Sequence, residues 1–232
     1  MRITIPVRHV TIATPRTRLI SLDLAGQAFA FVAGQAVMVG LHHSPIRKPY
    51  SIASAPWEVQ NTGLLQLLAQ IDDTGSPDPH LELAAPGTLM DVDGPFGTFG
   101  VPAESNDAPL MFVAGGTGIA PLRSMLMERL ARPSAPRISV IYSVRTPDEF
   151  AYRMELEALA TAGRIALHLT VTRPDDVWQG RRGRIDAIAL KQALPEGDPL
   201  VLVCGPPPLI VSVTEWLVEL GVDPDRILIE KF

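Results

Sequence analysis

Three short segments of the chain bring together residue types that can hold or reduce a ligand. The first is Ala114-Gly115-Gly116-Thr117-Gly118-Ile119-Ala120-Pro121, which follows a continuous apolar run and precedes a helical stripe. Glycines at such a junction let the backbone approach an anion, and the N–H groups and dipole of a helix start attract a pyrophosphate. The segment is not G-x-G-x-x-G, so by spacing alone it also suits a tight strand–helix turn without a ligand. The second is Val203-Cys204-Gly205-Pro206-Pro207-Pro208. A thiol at that strand end would face the same crevice as the Gly115 turn, although an isolated cysteine also serves as a small buried hydrophobe. The third is Ile46-Arg47-Lys48-Pro49-Tyr50-Ser51-Ile52-Ala53-Ser54. Two cations, an aromatic and a hydroxyl on one strand can bind a phosphate, stack on a ring and donate a hydrogen bond; an edge strand with solvated charges fits equally.

Other chemistries lack their residues. His9, His42, His43, His80 and His168 form no i, i+4 metal pair. The acidic pairs Asp72–Asp73, Asp91/Asp93 and Asp175–Asp176 flank turns and read as solvated caps. Neither G-x-S-x-G nor a P-loop occurs. The single cysteine, Cys204, excludes a disulfide framework, a four-cysteine zinc site and a four-cysteine iron–sulfur cluster within the chain.

The elements that would position these segments change character midway. Up to Gly100, period-2 alternation at Ile3, Ile5, Val7 and at Ile20, Leu22, Leu24 marks half-buried strands. Further runs lie at Val37–Leu41, Tyr50–Ala53, Leu64–Ile71 and Leu89–Val92, with turn signals between them and one helical turn at His80–Ala84. About six short antiparallel strands with little helix predict a closed or nearly closed β-barrel. After a polar, proline-bearing linker the pattern becomes strand Leu110–Ala114, helix Ile119–Leu130, strand Ile138–Val144, helix Tyr152–Thr161, strand Ile165–Thr172 and helix Ile185–Ala193. Strand Leu200–Cys204, helix Leu209–Leu220 and strand Arg226–Glu230 complete it. Five strands alternating with four helices predict a parallel, doubly wound α/β sheet. The expected domains are therefore residues 1–101 and 108–232, with 102–107 between them.

Composition agrees with two globular domains. The chain has 232 residues, of which 47% are hydrophobic and 19% charged, and its mean hydropathy is +0.19, enough apolar material for a core. The 22 prolines are nearly twice the usual share of about 5%. Net charge is −5, and the 20 basic residues, all arginine except Lys48, Lys191 and Lys231, are scattered, so no nucleic-acid footprint is present. Met1–Ala13 alternates rather than forming an apolar signal block, and Pro199–Val213 is too short and too interrupted by proline to span a bilayer. A cytoplasmic protein acting at neither membrane nor nucleic acid is expected.

Taken in order, these motifs resemble those of the ferredoxin–NADP reductase superfamily, which includes flavin reductases and oxygenase reductases. Arg47–Ser54 resembles its R-x-Y-S flavin motif, Gly94-Pro95-Phe96-Gly97 its G-P-x-G turn, Gly115–Pro121 its G-G-T-G-x-x-P nucleotide loop, and Cys204-Gly205-Pro206 its C-G-P motif. The resemblance covers essentially the whole chain and implies an FAD-binding barrel followed by an NAD(P)-binding α/β domain. It implies that Tyr50 lies against the isoalloxazine ring, that Ser51 hydrogen-bonds near flavin N5, and that Pro49 shares this strand. The basic residue two before the tyrosine, which binds flavin phosphate in the family, is here Lys48; Arg47 stands next to it, on the opposite face of the strand, and either could serve. The family's G-x-x-S-x-x-L phosphate turn maps to Gly75–Leu81, with Asp78 in place of serine. A carboxylate repels pyrophosphate, so Ser76 substitutes, the adenylate half is loosely held, or FMN or exchangeable flavin is used; FAD is favoured.

By the same resemblance, Gly115, Gly116, Thr117, Gly118 and Pro121 meet the dinucleotide pyrophosphate. Cys204, with Gly205 and Pro206, approaches nicotinamide C4, Glu230 orients that region, and Phe232 either shields the flavin as a gate or, as a C-terminal residue, caps the sheet. Ser143, Arg145 and Arg173 follow the second and third parallel strands and could hold a 2′-phosphate, so NADPH is preferred to NADH. The implied activity is that of an oxidoreductase taking hydride from NAD(P)H and passing electrons to a ferredoxin, a flavodoxin, free flavin or an oxygenase component. The alternative is a non-autonomous electron-transfer subunit of a larger redox complex. Arg47, Lys48, Arg181, Arg182 and Arg184 are candidates for a basic rim facing an acidic carrier.

Overall fold

Inward-pointing Ile3, Ile5 and Val7, each almost wholly buried, begin the first of twelve strands among the described residues. The computed structural model describes residues 1–71, 81, 84–105, 107–133 and 136–231. The chain divides into two units: Met1–Gly100 with Arg123–Glu128, and Val101–Leu122 with Arg129–Phe232.

In the first unit, strands β1 (Arg2–Thr14), β2 (Thr17–Asp23), β3 (Ala36–Leu41), β4 (Lys48–Ser51), β5 (Leu64–Gln70) and β6 (Leu89–Phe96) form one sheet. Its order is β4-β3-β6-β1-β2-β5, and every ladder is antiparallel. The two edges approach through the isolated bridge Ile52↔Leu67 and the bond from Ala53 N–H to Gln66 O at 2.9 Å, which curls the sheet into the expected barrel. Ile5, Ile20, Leu22, Val37, Val39, Ile52, Leu65, Leu67 and Met90 fill it. Each such burial is worth roughly 1.5–3 kcal/mol.

One helix of this unit was not expected, α1 (Pro56–Thr62). Its periodicity is silent because Val59 is its one buried residue. Its ends explain it. Pro56 occupies the first turn, Glu58 accepts the Ala55 N–H at 2.7 Å, and Gly63 closes the helix at φ +70° with its N–H on Val59 O.

The second unit carries β7 (Leu110–Gly115), the ends of α2 (Ile119–Leu130, whose Arg123–Glu128 belongs to the first unit), β8 (Ile138–Val144), α3 (Arg153–Thr161) and β9 (Ala166–Val171). There follow β10 (Arg181–Arg182), α4 (Ala187–Ala193), β11 (Leu200–Gly205), α5 (Pro207–Glu219) and β12 (Ile227–Lys231). The sheet order is β10-β9-β8-β7-β11-β12, parallel throughout. It has six strands where five were expected, because the two-residue β10 contains no apolar residue to signal it. β7, β8 and β11 are buried along their whole length, which is why they read as unbroken apolar runs. The chain winds outward from β7 through β8 and β9, then returns to place β11 on its other side. The switch point therefore lies between β7 and β11, at their carboxyl ends. Ala103–Ser105, inside the expected linker, forms one short 3₁₀ turn.

Candidate functional site

The carboxyl ends of β7 and β11 meet through glycines. A Cβ on Gly205 would lie 3.2 Å from Gly115 Cα, and one on Gly118 would overlap the Cys204 carbonyl oxygen. Only glycine lets the two strand ends pack this closely. Beyond Gly115, residues Gly116–Gly118 make a 3₁₀ turn that runs directly into α2. Gly116 sits at φ +56°, with nothing within 4 Å of where a Cβ would stand. Pro121 falls in the first turn of α2, where its missing N–H leaves no helical bond unmade. Below the turn, the buried Tyr142 on β8 donates from its hydroxyl to Gly116 O at 3.0 Å.

Register pairs Cys204 on β11 with Glu230 on the neighbouring β12. The thiol is 1% exposed, and Sγ–H donates to Glu230 Oε2 at 3.9 Å. Burial first, and then the adjacent Glu230 carboxylate, push the thiol well above its ordinary pKa. Cys204 is thus a protonated, weakly donating group at neutral pH and not a thiolate nucleophile. Gly205 and Pro206 lead from it into α5.

Along the edges of the same sheet the expected residues separate. Ser143 is buried within β8, in register with Gly115 and Thr170. Arg145 and Arg173 are both exposed, and Arg173 N–H donates to Arg145 O at 2.7 Å, so the two cations leave adjacent strand ends side by side. The carboxylates of that corner are engaged locally: Glu149 accepts Arg145 N–H at 3.2 Å, and Asp148 accepts the Thr146 hydroxyl at 2.5 Å.

In the barrel, alternation along β4 puts Lys48 and Tyr50 on one face and Pro49 and Ser51 on the other. Tyr50 is half-buried and packs on the barrel core. Arg47 points into a different environment. Its guanidinium meets Asp91 at 2.6 Å and Asp93 at 3.4 Å, with its side chain only 15% exposed. Gly40 makes room for it, since a Cβ there would stand 2.9 Å from Arg47 Cγ. Asp91 is therefore not the solvated cap read from the sequence. It is a 6%-exposed carboxylate that also accepts the Thr4 hydroxyl and His42 Nδ1. Burial alone would raise its pKa, but the hydrogen bonds from Thr4, His42 and Arg47 outweigh burial and hold it at about 2. Asp93 is lowered in turn, chiefly by its hydrogen bond with Arg2.

The expected basic rim is largely committed to the fold. Arg181 grips Asp186 through two 2.6 Å contacts, and Arg182 donates to the carbonyls of Asp175 and Trp178. Arg184 is exposed. Gly75, Ser76 and Phe232 lie outside the described residues, as do Asp72, Asp73, Asp78 and His80. No trio of His, Cys, Asp or Glu that could hold a metal occurs among the described residues, and among them no helix is long and apolar enough to cross a membrane.

Sequence reasoning missed two further groups. Tyr142 under the glycine turn is one. The other lies within the first unit: Arg123 forks onto Glu58 at 2.6 and 2.8 Å and donates to Ala53 O at 3.1 Å, fixing the backbone just after β4. Pairing between such distant residues leaves no local pattern. A buried arginine in the first turns of α2 was the single cue.

The donor sets fit a dinucleotide and a flavin. An approachable left-handed glycine turn at a sheet switch point suits a pyrophosphate, and an ammonium, an aromatic and a hydroxyl along one strand suit a flavin phosphate and ring. Residues 4–100 match the oxidoreductase FAD-binding domain family and residues 112–215 the oxidoreductase NAD-binding domain family. A ferredoxin–NADP reductase B from Sorangium cellulosum is 34% identical over 230 residues, covering 94% of this chain and 93% of the relative. A component of the Na(+)-translocating NADH-quinone reductase from Neisseria meningitidis is 32% identical over 81% of this chain, and the match spans 49% of that longer protein. Among solved structures, a cytochrome P450 reductase from Amycolatopsis shares the fold at TM-score 0.88 and 24% identity, over 100% of this chain and 70% of that one. The chain belongs to the ferredoxin–NADP reductase superfamily and is a flavin-dependent NAD(P)H reductase that uses FAD and passes electrons to an acceptor.

Proposed function

We propose that residues 1–101 bind FAD, that residues 108–232 bind NADPH, and that the reduced enzyme delivers electrons to a separate carrier of the ferredoxin or flavodoxin kind. The observation that carries this reading is the glycine junction between β7 and β11, with Cys204 and Glu230 on the strands beside it. FAD, when bound, supplies acceptance of a hydride from NAD(P)H and onward release of the electrons.

The residues of this chain bind, orient and exclude water. Lys48, the basic residue two before Tyr50, holds the flavin phosphate, while Arg47 pairs with Asp91 and Asp93. Tyr50 stacks on the ring, and Ser51 donates a hydrogen bond at its reactive edge. Thr117 and the amides of Gly116 and Gly118 hold the dinucleotide pyrophosphate. Cys204 and Glu230, one protonated and weakly polar, the other a carboxylate, orient the nicotinamide. Arg145 and Arg173 give the adenosine end a double positive charge, which favours a 2′-phosphate and so NADPH. The carrier as acceptor is supported by the Sorangium relative, named as a ferredoxin–NADP reductase.

The test is the visible spectrum of the protein reconstituted with FAD and mixed anaerobically with NADPH or NADH, followed by cytochrome c reduction with and without added ferredoxin or flavodoxin. Expected are flavin bands, faster bleaching by NADPH, and carrier-dependent reduction. Absence of flavin bands after FAD and FMN reconstitution would refute the reading. Reduction only in the presence of an oxygenase component, or only of free flavin, would replace the proposed acceptor. Loss of the NADPH preference in Arg145→Ala and Arg173→Ala checks the coenzyme assignment.

A further inference from the structure

Tyr142 is among the largest fully buried side chains in the protein, 1% exposed in the middle of β8. A buried phenol keeps its hydroxyl only where the hydroxyl is bonded, as this one is. It donates to Gly116 O at 3.0 Å, and the backbone of Ala151 stands beside it, opposing part of the effect of burial on its pKa. Burial drives its pKa upward, so it is a neutral donor at all working pH values.

Its two backbone neighbours differ in firmness. Ala151 belongs to a segment fixed by packing. Phe150 meets the Tyr142 ring edge-on at 5.1 Å and stacks on Trp178 at 5.7 Å, while Arg153 lies over both rings of that stack. The following Tyr152 is even held at φ +59°, a conformation that a non-glycine residue keeps only under constraint. Gly116 is the opposite case, a left-handed glycine with open space beside it and no side chain to hold it. The Tyr142 hydroxyl transfers the firmness of one segment to the other. The Ile119 N–H also donates to Gly116 O, so both lone pairs of that carbonyl are bound. A peptide is planar and trans, so a carbonyl directed at Tyr142 turns the Thr117 N–H of the same peptide away from it.

We infer that Tyr142 is a positioning residue for the dinucleotide: by pinning the Gly116 carbonyl, its hydroxyl aims the Thr117 N–H outward as a preorganised donor to the pyrophosphate. This rests on the reading of the glycine turn as the pyrophosphate site.

Calorimetric titration of the FAD-reconstituted protein tests it, with NADP+ and NAD+ as ligands and with 2′-AMP and adenosine as fragments that lack the pyrophosphate. Removing one hydrogen bond, worth about 0.5–1.5 kcal/mol, corresponds to a loss of roughly two- to twelvefold. Tyr142→Phe is therefore expected to weaken the preferred dinucleotide by about that factor, leave fragment binding within about twofold, and raise KM at unchanged kcat. Phe150→Leu, which unseats the ring while keeping the hydroxyl, shifts binding the same way by less and serves if Tyr142→Phe does not fold. Wild-type dinucleotide affinity in both variants overturns the inference, and so does an equal loss for dinucleotide and fragment. Gly116→Val separates the two levels. If it abolishes dinucleotide binding while Tyr142→Phe leaves it intact, the site stands and the role of Tyr142 falls; if it too binds as wild type, the turn is not the site.

Discussion

Asp91→Asn is the sharpest probe of the barrel, because it keeps the shape of the side chain and removes its charge. In the folded protein Asp91 titrates near 2 instead of 3.8, since hydrogen bonds from Thr4, His42 and Arg47 more than offset its burial. At about 1.4 kcal/mol per pKa unit, the ionised form is favoured by folding to the extent of about 2 kcal/mol. The folded pKa is depressed, so this stability is fully present above pH ~4 and disappears as pH falls through about 2. Urea unfolding of the wild type and of Asp91→Asn at pH 7, 5, 4, 3 and 2.5 reads the difference directly. The variant should be about 2 kcal/mol less stable at pH 7 and 5, and the gap should close steadily below pH 4. A gap of constant size down to pH 2.5 would assign the loss to packing and refute the charge argument. No gap at pH 7 would refute the whole account of the cluster. The same logic separates the two neighbouring cations. Arg47→Met should share the instability of Asp91→Asn and leave FAD affinity unchanged, whereas Lys48→Met should weaken FAD about tenfold, as for loss of a charged hydrogen bond.

Three other perturbations reach different parts of the molecule. Cys204, 1% exposed and with its thiol pKa raised by burial, should resist iodoacetamide at pH 8 in the native protein and react at once in urea; mass spectrometry of the timed reaction decides it, and rapid native alkylation contradicts the assignment. Gly118→Ala places a methyl group on the Cys204 carbonyl, so the melting temperature should drop by several degrees and nucleotide binding with it; unchanged melting would mean that the β7–β11 junction is looser than described. Arg123→Met leaves Glu58, 19% exposed, without its guanidinium partner, at a cost of about 3 kcal/mol. Adding Glu58→Gln should recover part of that loss in denaturant titrations, and purely additive effects would show that the pair is not coupled.

What the sequence discloses depends on how far apart the cooperating residues stand. Ile3, Ile5 and Val7 announce a half-buried strand because the period is written in adjacent residues, and Leu110–Ala114 announces a fully buried one for the same reason. The Gly115–Gly118 turn was equally legible: a tight strand-to-helix junction needs glycine at fixed local spacing, whatever its long-range surroundings. Helix α1 and strand β10 escaped because neither has an apolar stripe, Val59 being the one buried residue of α1 and β10 consisting of two arginines. Its caps, Pro56, Glu58 and Gly63, were the readable trace of α1. Asp91 was misread for the opposite reason. From sequence a carboxylate beside a turn is a solvated cap, and nothing local reveals that Arg47, 44 residues away, will cross Gly40 to meet it. That one pairing commits Arg47 to Asp91 and Asp93, an engagement the motif alone did not reveal. Tyr142 follows the same rule. As one aromatic in the run Ile138–Val144 it reads as core, and its hydroxyl acquires meaning only when the fold brings Gly116 and Ala151 to it from either side. Motifs thus announce the glycine turn between strand and helix, while the side chains that hold that backbone in place are fixed by pairings across the sheet.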